Sequence, residues 1–270
     1  MPSRHQIVSG QAALSVHAMG AGDPVVFLHA GVADSRMWRA QLQGASASHQ
    51  AIAYDRRGFG ATRAGTDAFS AVADLMAVIH ATTNGKPAVL VGCSEGGRIA
   101  LDAALLHPSS FRALALISPS VSGAPAPDYP PAIGELMTHM AVAREAGNPD
   151  EVVAIRTRLF LDGPLATAPR VQGEARALFA DMNATALRQT PIGANLDAVA
   201  AYQRLAEISM PVLVLCGNLD LPNVQARSRH VAATVMHGCS EVLDGAAHLP
   251  SLERPDDLTA RLIRFLENSR

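Results

Sequence analysis

The sequence predicts an α/β fold: a mostly parallel sheet with helices on both faces and a helical lid insertion. Three observations predict it. Short apolar runs that end at glycine-rich corners alternate with amphipathic stretches as far as about residue 118. Over residues 119–191 helical segments follow one another without a convincing buried strand, and the alternation then resumes. We therefore expect a core of residues 1–118 and 192–270 and a lid of residues 119–191.

The elements before the insertion follow in a regular order. "HQIVSGQAALSVHAMG" predicts two antiparallel edge strands around a Ser-Gly turn, and "PVVFLHA" predicts a buried strand. "SRMWRAQLQG" predicts a helix that ends at Gly44, and "QAIAYDRRGFG" predicts a strand that breaks at Asp55. A helix over about 68–82, the strand "AVLVG", a helix from Glu95 to His107 and the strand in "FRALALISPS" complete this half.

The same alternation returns after the insertion. We expect a helix around residues 196–207, a strand from Pro211 to Gly217 and a helix from about Val224. "SEVLDG" predicts the last strand, and Pro255 begins a last helix that runs to Asn268. An insertion between two strands that are neighbours in one sheet has to lie at the edge of that sheet, as a lid does.

Composition and charge narrow the class of ligand. The chain has 270 residues, is 49% hydrophobic and carries a formal net charge of -2 without blocks of either sign. We therefore expect a small-molecule ligand and neither nucleic acid nor a membrane as a partner; the oligomeric state, monomer or homodimer, stays open. No apolar run has the length of a signal peptide or a membrane span, which predicts a cytoplasmic protein. Three widely spaced cysteines, Cys93, Cys216 and Cys239, predict reduced, mostly buried thiols and no metal site.

A serine occupies a sharp corner between a strand and a helix in "VLVGCSEGG". A serine hydroxyl is a poor nucleophile unless it is exposed beside a base and near backbone N–H donors that hold an oxyanion. A strand-turn-helix supplies this setting, because Gly92 and Gly96 let the backbones approach and the helix directs its N-terminal N–H groups at the site. Ser94 is therefore the candidate nucleophile of a G-x-S-x-G elbow.

The position of the strands selects a base and an acid for Ser94. Ligands of an open α/β sheet bind beyond the carboxyl ends of its strands, and His248 follows such an end. Asp220 follows the preceding strand on the same edge, which makes it the predicted partner of His248. Asp244 is the alternative, although a carboxylate at a strand end more often caps a turn. Ser94, Asp220 and His248 also follow the chain order expected after such an elbow.

Two backbone N–H groups are the candidate oxyanion donors. One belongs to Glu95, directly after the serine, and the other to the loop after "PVVFLHA", where Gly31 is preferred and Val32 is the alternative. His29 is expected to brace this loop through hydrogen bonds to the backbone. The Glu95 side chain has two interpretations, a carboxylate that stabilises the N-terminus of its helix or a group that lines the pocket.

These motifs together resemble the α/β-hydrolase superfamily over about residues 25–265. The motifs are "HAGVADSRMW", "YDRRGFGAT", "GCSEGG", "GNLDLP" and "GAAHLPSLERP". The resemblance implies the α/β-hydrolase fold, a nucleophile at Ser94, an acid at Asp220, a base at His248 and backbone oxyanion donors at Gly31 and Glu95. It also implies a lid after the sixth strand, a structural role for the turn at Asp55 to Arg57, and no cofactor. The family usually has glycine directly after the loop histidine, where this chain has Ala30.

The resemblance also narrows the chemistry. Haloalkane dehalogenases and epoxide hydrolases of this fold carry aspartate at the elbow, so Ser94 favours a serine hydrolase of carboxylic esters or lactones. Relatives that cleave carbon–carbon bonds often have tryptophan after the catalytic histidine, where Leu249 stands here. Carbon–carbon hydrolysis is the second hypothesis and cofactor-free perhydrolysis the third. A ligand-binding or receptor protein with a vestigial triad is the alternative from another class.

Overall fold

The computed structural model describes residues 3–269, so residues 1, 2 and 270 of the predicted core lie outside the described part. Eight strands form one sheet in the order β1-β2-β4-β3-β5-β6-β7-β8. The pairs β1–β2 and β2–β4 are antiparallel, and the other neighbouring pairs are parallel. The strands are β1 (Ser3–Ser9), β2 (Ala12–Met19), β3 (Asp23–Leu28), β4 (His49–Tyr54), β5 (Ala88–Cys93), β6 (Phe111–Ile117), β7 (Pro211–Gly217) and β8 (His237–Leu243). The predicted mostly parallel sheet with an antiparallel edge is confirmed.

Ten α-helical segments connect these strands within the described residues. They are α1 (Arg39–Ala45), α2 (Ala71–Thr82), α3 (Glu95–Leu106), α4 (Pro131–Glu145), α5 (Pro149–Arg156), α6 (Gly173–Leu187), α7 (Ala201–Arg204), α8 (Pro222–Thr234), α9 (Pro250–Glu253) and α10 (Pro255–Asn268). Among residues 3–269, none is long and apolar enough to cross a membrane.

The core has two layers because both faces of the sheet are covered. Successive side chains of a strand point to opposite faces, so Val26 and Leu28 of β3 join one apolar cluster while Val25 and Phe27 join the other. The first cluster includes apolar residues of α2, α3 and α8, and the second includes those of α1 and α10. Helices therefore lie on both faces, and the carboxyl ends of the parallel strands share one open edge.

A helical insertion separates β6 from β7, which are neighbours in the sheet. The chain leaves the sheet after Ile117 and forms α4, α5, a π-helical turn over Thr157–Asp162, and α6. Its return segment packs on the core, since Leu196 N–H donates to Phe69 O at 2.8 Å and Ala201 and Leu205 belong to the first apolar cluster. The predicted insertion of helices after the sixth strand is confirmed.

Two predicted element bounds were wrong. The helix expected around residues 196–207 begins only at Ala201, because Ala200 is left-handed and the Asp197 carboxylate accepts hydrogen bonds from Ser70 Oγ at 2.5 Å and Val72 N–H at 3.1 Å. These contacts hold residues 195–199 against the start of α2. The last strand starts at His237 instead of Ser240, because Pro211 of β7 pairs with His237.

Candidate active site

Ser94 forms the corner between β5 and α3. Its φ of 53° and ψ of -114° are strained for a residue with a side chain. Backbone hydrogen bonds hold this conformation, since Ser94 N–H donates to Ile117 O at 2.9 Å and Ser94 O accepts from Ser120 N–H at 3.0 Å. The sheet therefore fixes the corner on its open edge.

The glycines around Ser94 permit a close approach of three backbone segments. A Cβ at Gly96 would lie 2.2 Å from Leu28 O of β3, and one at Gly92 would lie 2.6 Å from Gly96 O. Backbone atoms cannot yield as a flexible side chain can. Glycine is therefore required at both positions for β3, β5 and α3 to meet at the corner.

Asp220 and His248 meet beyond the ends of β7 and β8. His248 Nδ1 lies 3.0 Å from Oδ1 and 2.9 Å from Oδ2 of Asp220, and both residues are buried. Leu221 N–H also donates to Asp220 Oδ1 at 2.7 Å, which orients the carboxylate. The alternative carboxylate, Asp244, is exposed and accepts from Asn218 Nδ2 at 3.0 Å, as a turn-capping residue does.

The environment of His248 favours the charged ring. Burial opposes the charge, but the Asp220 carboxylate outweighs burial through its charge and hydrogen bond and raises the pKa of His248 above 6.5. The π-helical turn covers the ring: Phe160 lies 5.2 Å from it between centroids, and His248 N–H donates to Phe160 O at 3.3 Å. A segment of the insertion thus holds the predicted base.

Ser94 is half-buried and faces a cavity of about 460 Å³. The cavity is also lined by Gly31, Val32 and Glu95. Among residues 3–269, the Ser94 hydroxyl has no hydrogen bond to the His248 ring, whose Nδ1 is bonded to Asp220. The structure therefore joins Asp220 to His248 and places Ser94 on the same edge of the sheet.

The loop after β3 leaves two N–H groups next to Ser94 without acceptors. Three of its N–H groups are engaged, those of Ala30, Ala33 and Asp34, which donate to Met37 Sδ, Ala30 O and Met182 Sδ. Within the described residues, the N–H groups of Gly31, Val32 and Glu95 have no acceptor. A Cβ at Gly31 would lie 3.6 Å from Glu95 Cβ, so the two predicted donors are neighbours.

His29 braces this loop, as predicted. The ring is fully buried, its Nδ1 lies 2.8 Å from Ala30 O, and Arg56 N–H donates to its Nε2 at 3.0 Å. Burial, followed by the charge of Arg56, lowers the pKa of His29 well below 6.5, so the ring is neutral. Because Nε2 accepts, the proton resides on Nδ1 and is donated to Ala30 O.

The turn after β4 is held by buried carboxylates. Asp55 accepts from Ser35 N–H at 3.0 Å and from Ala61 N–H at 2.9 Å. Arg57 and Asp74 form a buried bidentate ion pair with contacts of 2.7 and 2.9 Å. These contacts agree with the structural role that the resemblance implied for this turn.

The Glu95 side chain combines both of its predicted interpretations. It lies in the first turn of α3, ion-pairs with Arg98 at 2.7 Å and lines the cavity at Ser94. Burial by itself raises the pKa of Glu95, but Arg98, and after it Arg56, outweigh burial and lower that pKa. Glu95 is therefore an ionised carboxylate at the start of the helix.

Glu253 was missed in the sequence. Its buried carboxylate accepts from Ala247 N–H at 2.6 Å and from Leu249 N–H at 2.8 Å, the residues on either side of His248. Arg170 of the insertion also donates to it. Burial raises the pKa of Glu253. The only sequence signal was a glutamate five residues after the histidine in "HLPSLE", which no local pattern distinguishes from a surface residue.

The three cysteines agree with the predicted reduced, mostly buried thiols. Cys93 and Cys216 are buried and Cys239 is exposed, all without a disulfide. Met182 is buried, whereas the lid carboxylates Glu135, Glu145 and Glu151 are exposed. Among residues 3–269, no group of three or more His, Cys, Asp or Glu is arranged to hold a metal ion.

Comparison with known proteins identifies the family. The model of the Alpha/beta hydrolase family matches residues 25–262. The chain belongs to this family. The family model thus covers both the predicted nucleophile elbow and His248.

Relatives with assigned activities are distant. An epoxide hydrolase of Caballeronia sordidicola is 36% identical over 116 residues, 41% of this chain and 35% of that protein. A pimeloyl-[acyl-carrier protein] methyl ester esterase of Edwardsiella ictaluri is 26% identical over 95% of this chain and 98% of that protein. The chain spans about a third and about two thirds of the lengths of the first two curated relatives it matches, 35% and 64%.

Solved structures share the whole fold. A thermophilic esterase from Thermogutta terrifontis, solved with malate bound, superposes with a TM-score of 0.78 at 22% identity, over 100% of this chain and 99% of that one. The likeness covers the sheet and the insertion together.

Proposed function

We propose that this protein is a serine hydrolase that cleaves a carboxylic ester or a lactone through Ser94, His248 and Asp220. The observation that carries this proposal is the buried contact of 2.9 Å between Asp220 and His248 on the sheet edge where Ser94 forms its strained corner. Such a pair orients the imidazole and stabilises its charged form during catalysis. The full-length similarity to a methyl ester esterase supports the same class of bond.

Acylation follows from the roles of these groups. His248 Nε2 takes the proton of Ser94 Oγ, and the oxygen attacks the substrate carbonyl to form a tetrahedral oxyanion. The N–H groups of Glu95 and of Gly31 or Val32, which have no acceptor in the described residues, donate to this oxyanion. The C–O bond to the alcohol breaks, and His248 gives its proton to the leaving oxygen. For a lactone the alcohol stays attached to the acyl group.

Hydrolysis of the acyl-enzyme restores the site. His248 takes a proton from water, the hydroxide attacks the acyl carbonyl, and the same N–H groups hold the second oxyanion. The bond to Ser94 breaks, Ser94 recovers a proton from His248, and the acid leaves. Asp220 remains ionised throughout, because its role is to stabilise the imidazolium.

Residues 119–191 act as the lid in this proposal. The π-helical turn of this segment packs Phe160 on His248, and residues 192–210 return to the core surface. The lid thereby borders the catalytic edge and limits which acyl groups reach it. The match to an epoxide hydrolase covers less than half of this chain. Serine at the elbow, where the resemblance implies aspartate for that chemistry, favours ester hydrolysis.

The test combines turnover with labelling. A chain-length series of p-nitrophenyl esters, a panel of lactones and vinylogous diketones are assayed with wild type and Ser94→Ala. We expect ester or lactone turnover that falls at least about 10³-fold in Ser94→Ala, because the nucleophile is lost. A fluorophosphonate should form one adduct, located at Ser94 by peptide mass spectrometry. Ser120→Ala removes a second serine that lines the cavity, and it should still form that adduct.

Each other outcome identifies a different function. Turnover of diketones alone would identify a carbon–carbon hydrolase. A stoichiometric adduct without turnover of any substrate would identify a receptor-like protein. Full ester turnover by Ser94→Ala would overturn the assignment of the nucleophile.

A further inference from the structure

The cavity beside Ser94 contains three arginines, and two of them are neutralised by carboxylates. Arg57 is paired with Asp74 at 2.7 Å. Arg98 is paired with Glu95 at 2.7 Å and with Asp102 at 2.8 Å. Arg56 is the third arginine of the cavity wall, and its contacts show whether it is also paired with a carboxylate.

Arg56 has no carboxylate within 4.0 Å among residues 3–269. Its Nη2 lies 3.5 Å from His29 Nδ1. That nitrogen carries the proton donated to Ala30 O, since His29 Nε2 accepts from Arg56 N–H. His29 Nδ1–H and the Nη2–H groups of Arg56 are both donors, so their contact is not a hydrogen bond. Arg56 Nε is buried and has no acceptor in the described residues.

The guanidinium is nevertheless held in place. Its central carbon lies 4.8 Å from the centroid of the Phe59 ring, a cation–π distance, and Phe59 also lines the cavity. A ring on one face of a guanidinium leaves the N–H groups on its edge available to bind a planar anion. The Phe59 ring therefore holds Arg56 in place, and the charge of Glu95 acts on the guanidinium without an ion pair within 4.0 Å among the described residues.

Tyr54 supplies a second donor without a partner. It is 1% exposed, lines the same cavity, and its hydroxyl has no hydrogen-bond partner in the described part of the chain. Burial raises the pKa of Tyr54, so the hydroxyl keeps its proton. Tyr54 is the last residue of β4, Arg56 follows two residues later, and both line this cavity.

A further arginine lies in the neighbouring cavity of about 230 Å³, which also has Gly31 and Phe59 in its wall. Arg156 of the insertion donates to Asn183 Oδ1 at 3.2 Å, an acceptor without charge. Burial, and then the charge of Arg144, lowers the pKa of Arg156 to about 10, so it is still protonated at neutral pH. The insertion thus adds positive charge on this side of Ser94.

A half-buried cation that is not ion-paired with a carboxylate, beside a buried hydroxyl without an acceptor in the described residues, costs free energy that a ligand with acceptor oxygens removes. We propose that Arg56 and Tyr54 form a subsite that binds a carboxylate of the substrate, so that the enzyme acts on anionic esters or lactones. This inference rests on the proposed function for the bond that is cleaved. A carboxylate fits because it accepts two parallel hydrogen bonds from the edge of a guanidinium and a further one from a phenol.

The first test compares substrates of equal length in wild type. Monomethyl glutarate carries a carboxylate on its acyl part, and methyl pentanoate is its neutral counterpart. In the other arm, the ester of pentanoic acid with 3-hydroxypropanoate as its alcohol part carries the carboxylate, and propyl pentanoate is its neutral counterpart. Release of acid is followed by pH-stat titration. We expect kcat/KM to favour one anionic ester by about 10- to 100-fold, the contribution of hydrogen bonds between charged groups. The arm that shows the preference identifies the part of the substrate bound at Arg56.

Variants then assign the preference to the two residues. Arg56→Met should remove the preference and leave turnover of the neutral ester, whereas Arg56→Lys should keep part of it because the charge remains. Tyr54→Phe should lower kcat/KM for the anionic ester several-fold, about the contribution of one hydrogen bond. Arg39→Met, which removes an exposed arginine paired with the exposed Glu174, is the control and should keep the full preference.

Binding separates this inference from the proposed function. Ser94→Ala is titrated calorimetrically with glutarate and with dimethyl glutarate, which is neutral. We expect glutarate alone to bind, and Ser94→Ala/Arg56→Met to bind it at least about tenfold more weakly. Neutral esters hydrolysed as fast as anionic ones in both arms, without glutarate binding, would overturn the subsite and leave the serine hydrolase standing. Absence of any turnover and adduct would overturn the proposed function, while glutarate binding that depends on Arg56 would still support the subsite.

Discussion

His248 determines how the proposed activity depends on pH. Asp220 raises the pKa of the ring because it stabilises the protonated form, yet the base in catalysis is the neutral form. The pH must therefore rise above 6.5 before most of the enzyme carries a neutral His248. We expect kcat/KM to increase with pH through a midpoint above 6.5, measured with an ester that does not ionise.

Asp220→Asn tests the cause of that shift. The amide removes the charge of Asp220, and burial, the largest influence, then lowers the pKa of His248 against the smaller effect of Glu253, so the midpoint should move below 6.5. The value of kcat/KM at its high-pH plateau should fall by about 10⁴-fold because the imidazolium is no longer stabilised. Asp244→Asn changes the exposed carboxylate near the same loop and should leave the midpoint and the plateau of kcat/KM unchanged. A midpoint that stays in place in Asp220→Asn would mean that another group titrates.

At the scale of elements, the close approach of α3 to β3 depends on the absence of a side chain at Gly96. Gly96→Ala would place a Cβ 2.2 Å from Leu28 O, and backbone on both sides resists displacement. We expect the free energy of unfolding to fall by about 3 kcal/mol or more, measured by urea denaturation. Gly31→Ala is the matched control, because its Cβ would make an ordinary contact of 3.6 Å with Glu95 Cβ. Equal stability of the two variants would contradict this account.

The loop of His248 depends on Glu253 in the short helix α9. Glu253→Ala would leave the N–H groups of Ala247 and Leu249 without their acceptor, at about 1–3 kcal/mol each. We expect about 3 kcal/mol less stability together with a lower kcat, because His248 lies between the two groups. Glu253→Gln keeps an acceptor oxygen and should therefore lose less stability and less kcat than Glu253→Ala. Glu174→Ala, an exposed glutamate, should change stability by less than about 0.5 kcal/mol.

At the scale of the whole molecule, Arg170 joins the insertion to the core. It donates to Leu161 O at 2.7 Å and Asp162 O at 2.9 Å in the π-helical turn, and to Gly245 O at 2.8 Å and Glu253 in the core. Hydrogen bonds of a charged group contribute about 1.5–3 kcal/mol each. Arg170 therefore couples the segment over His248 to the loop that carries His248.

Hydrogen exchange tests this coupling. In Arg170→Met we expect amides of residues 157–162 and 245–249 to exchange at least about tenfold faster, since 1.4 kcal/mol of local stability corresponds to a factor of ten. Strands β5 and β6, covered on both faces, should keep their protection. Arg204→Met removes an exposed pair with Glu207 and is the control. Uniform acceleration across the sheet would indicate global destabilisation instead of release of the lid.

Much of this architecture could be predicted because its signals are local. Apolar runs predicted β5 and β7, proline predicted the start of α10 at Pro255, and the glycines around Ser94 predicted the corner. The edge on which Asp220 and His248 meet followed from strand direction, which places every carboxyl end on one side of a parallel sheet. These features depend on neighbouring residues or on one rule of topology.

The sequence by itself determined the class of fold and the insertion of helices, because periodicity and turn chemistry act over a few residues. It also predicted the three residues proposed for catalysis, with Asp244 as the alternative to Asp220. Tertiary structure alone decided that Glu253 holds the His248 loop, that Phe160 covers the ring, and that Asp197 shortens the predicted helix. It also decided that Arg57 and Arg98 form ion pairs with carboxylates and that, among residues 3–269, Arg56 does not. The physical reason is that pairing of charges and donors far apart in the chain depends on how elements pack, which no local pattern encodes.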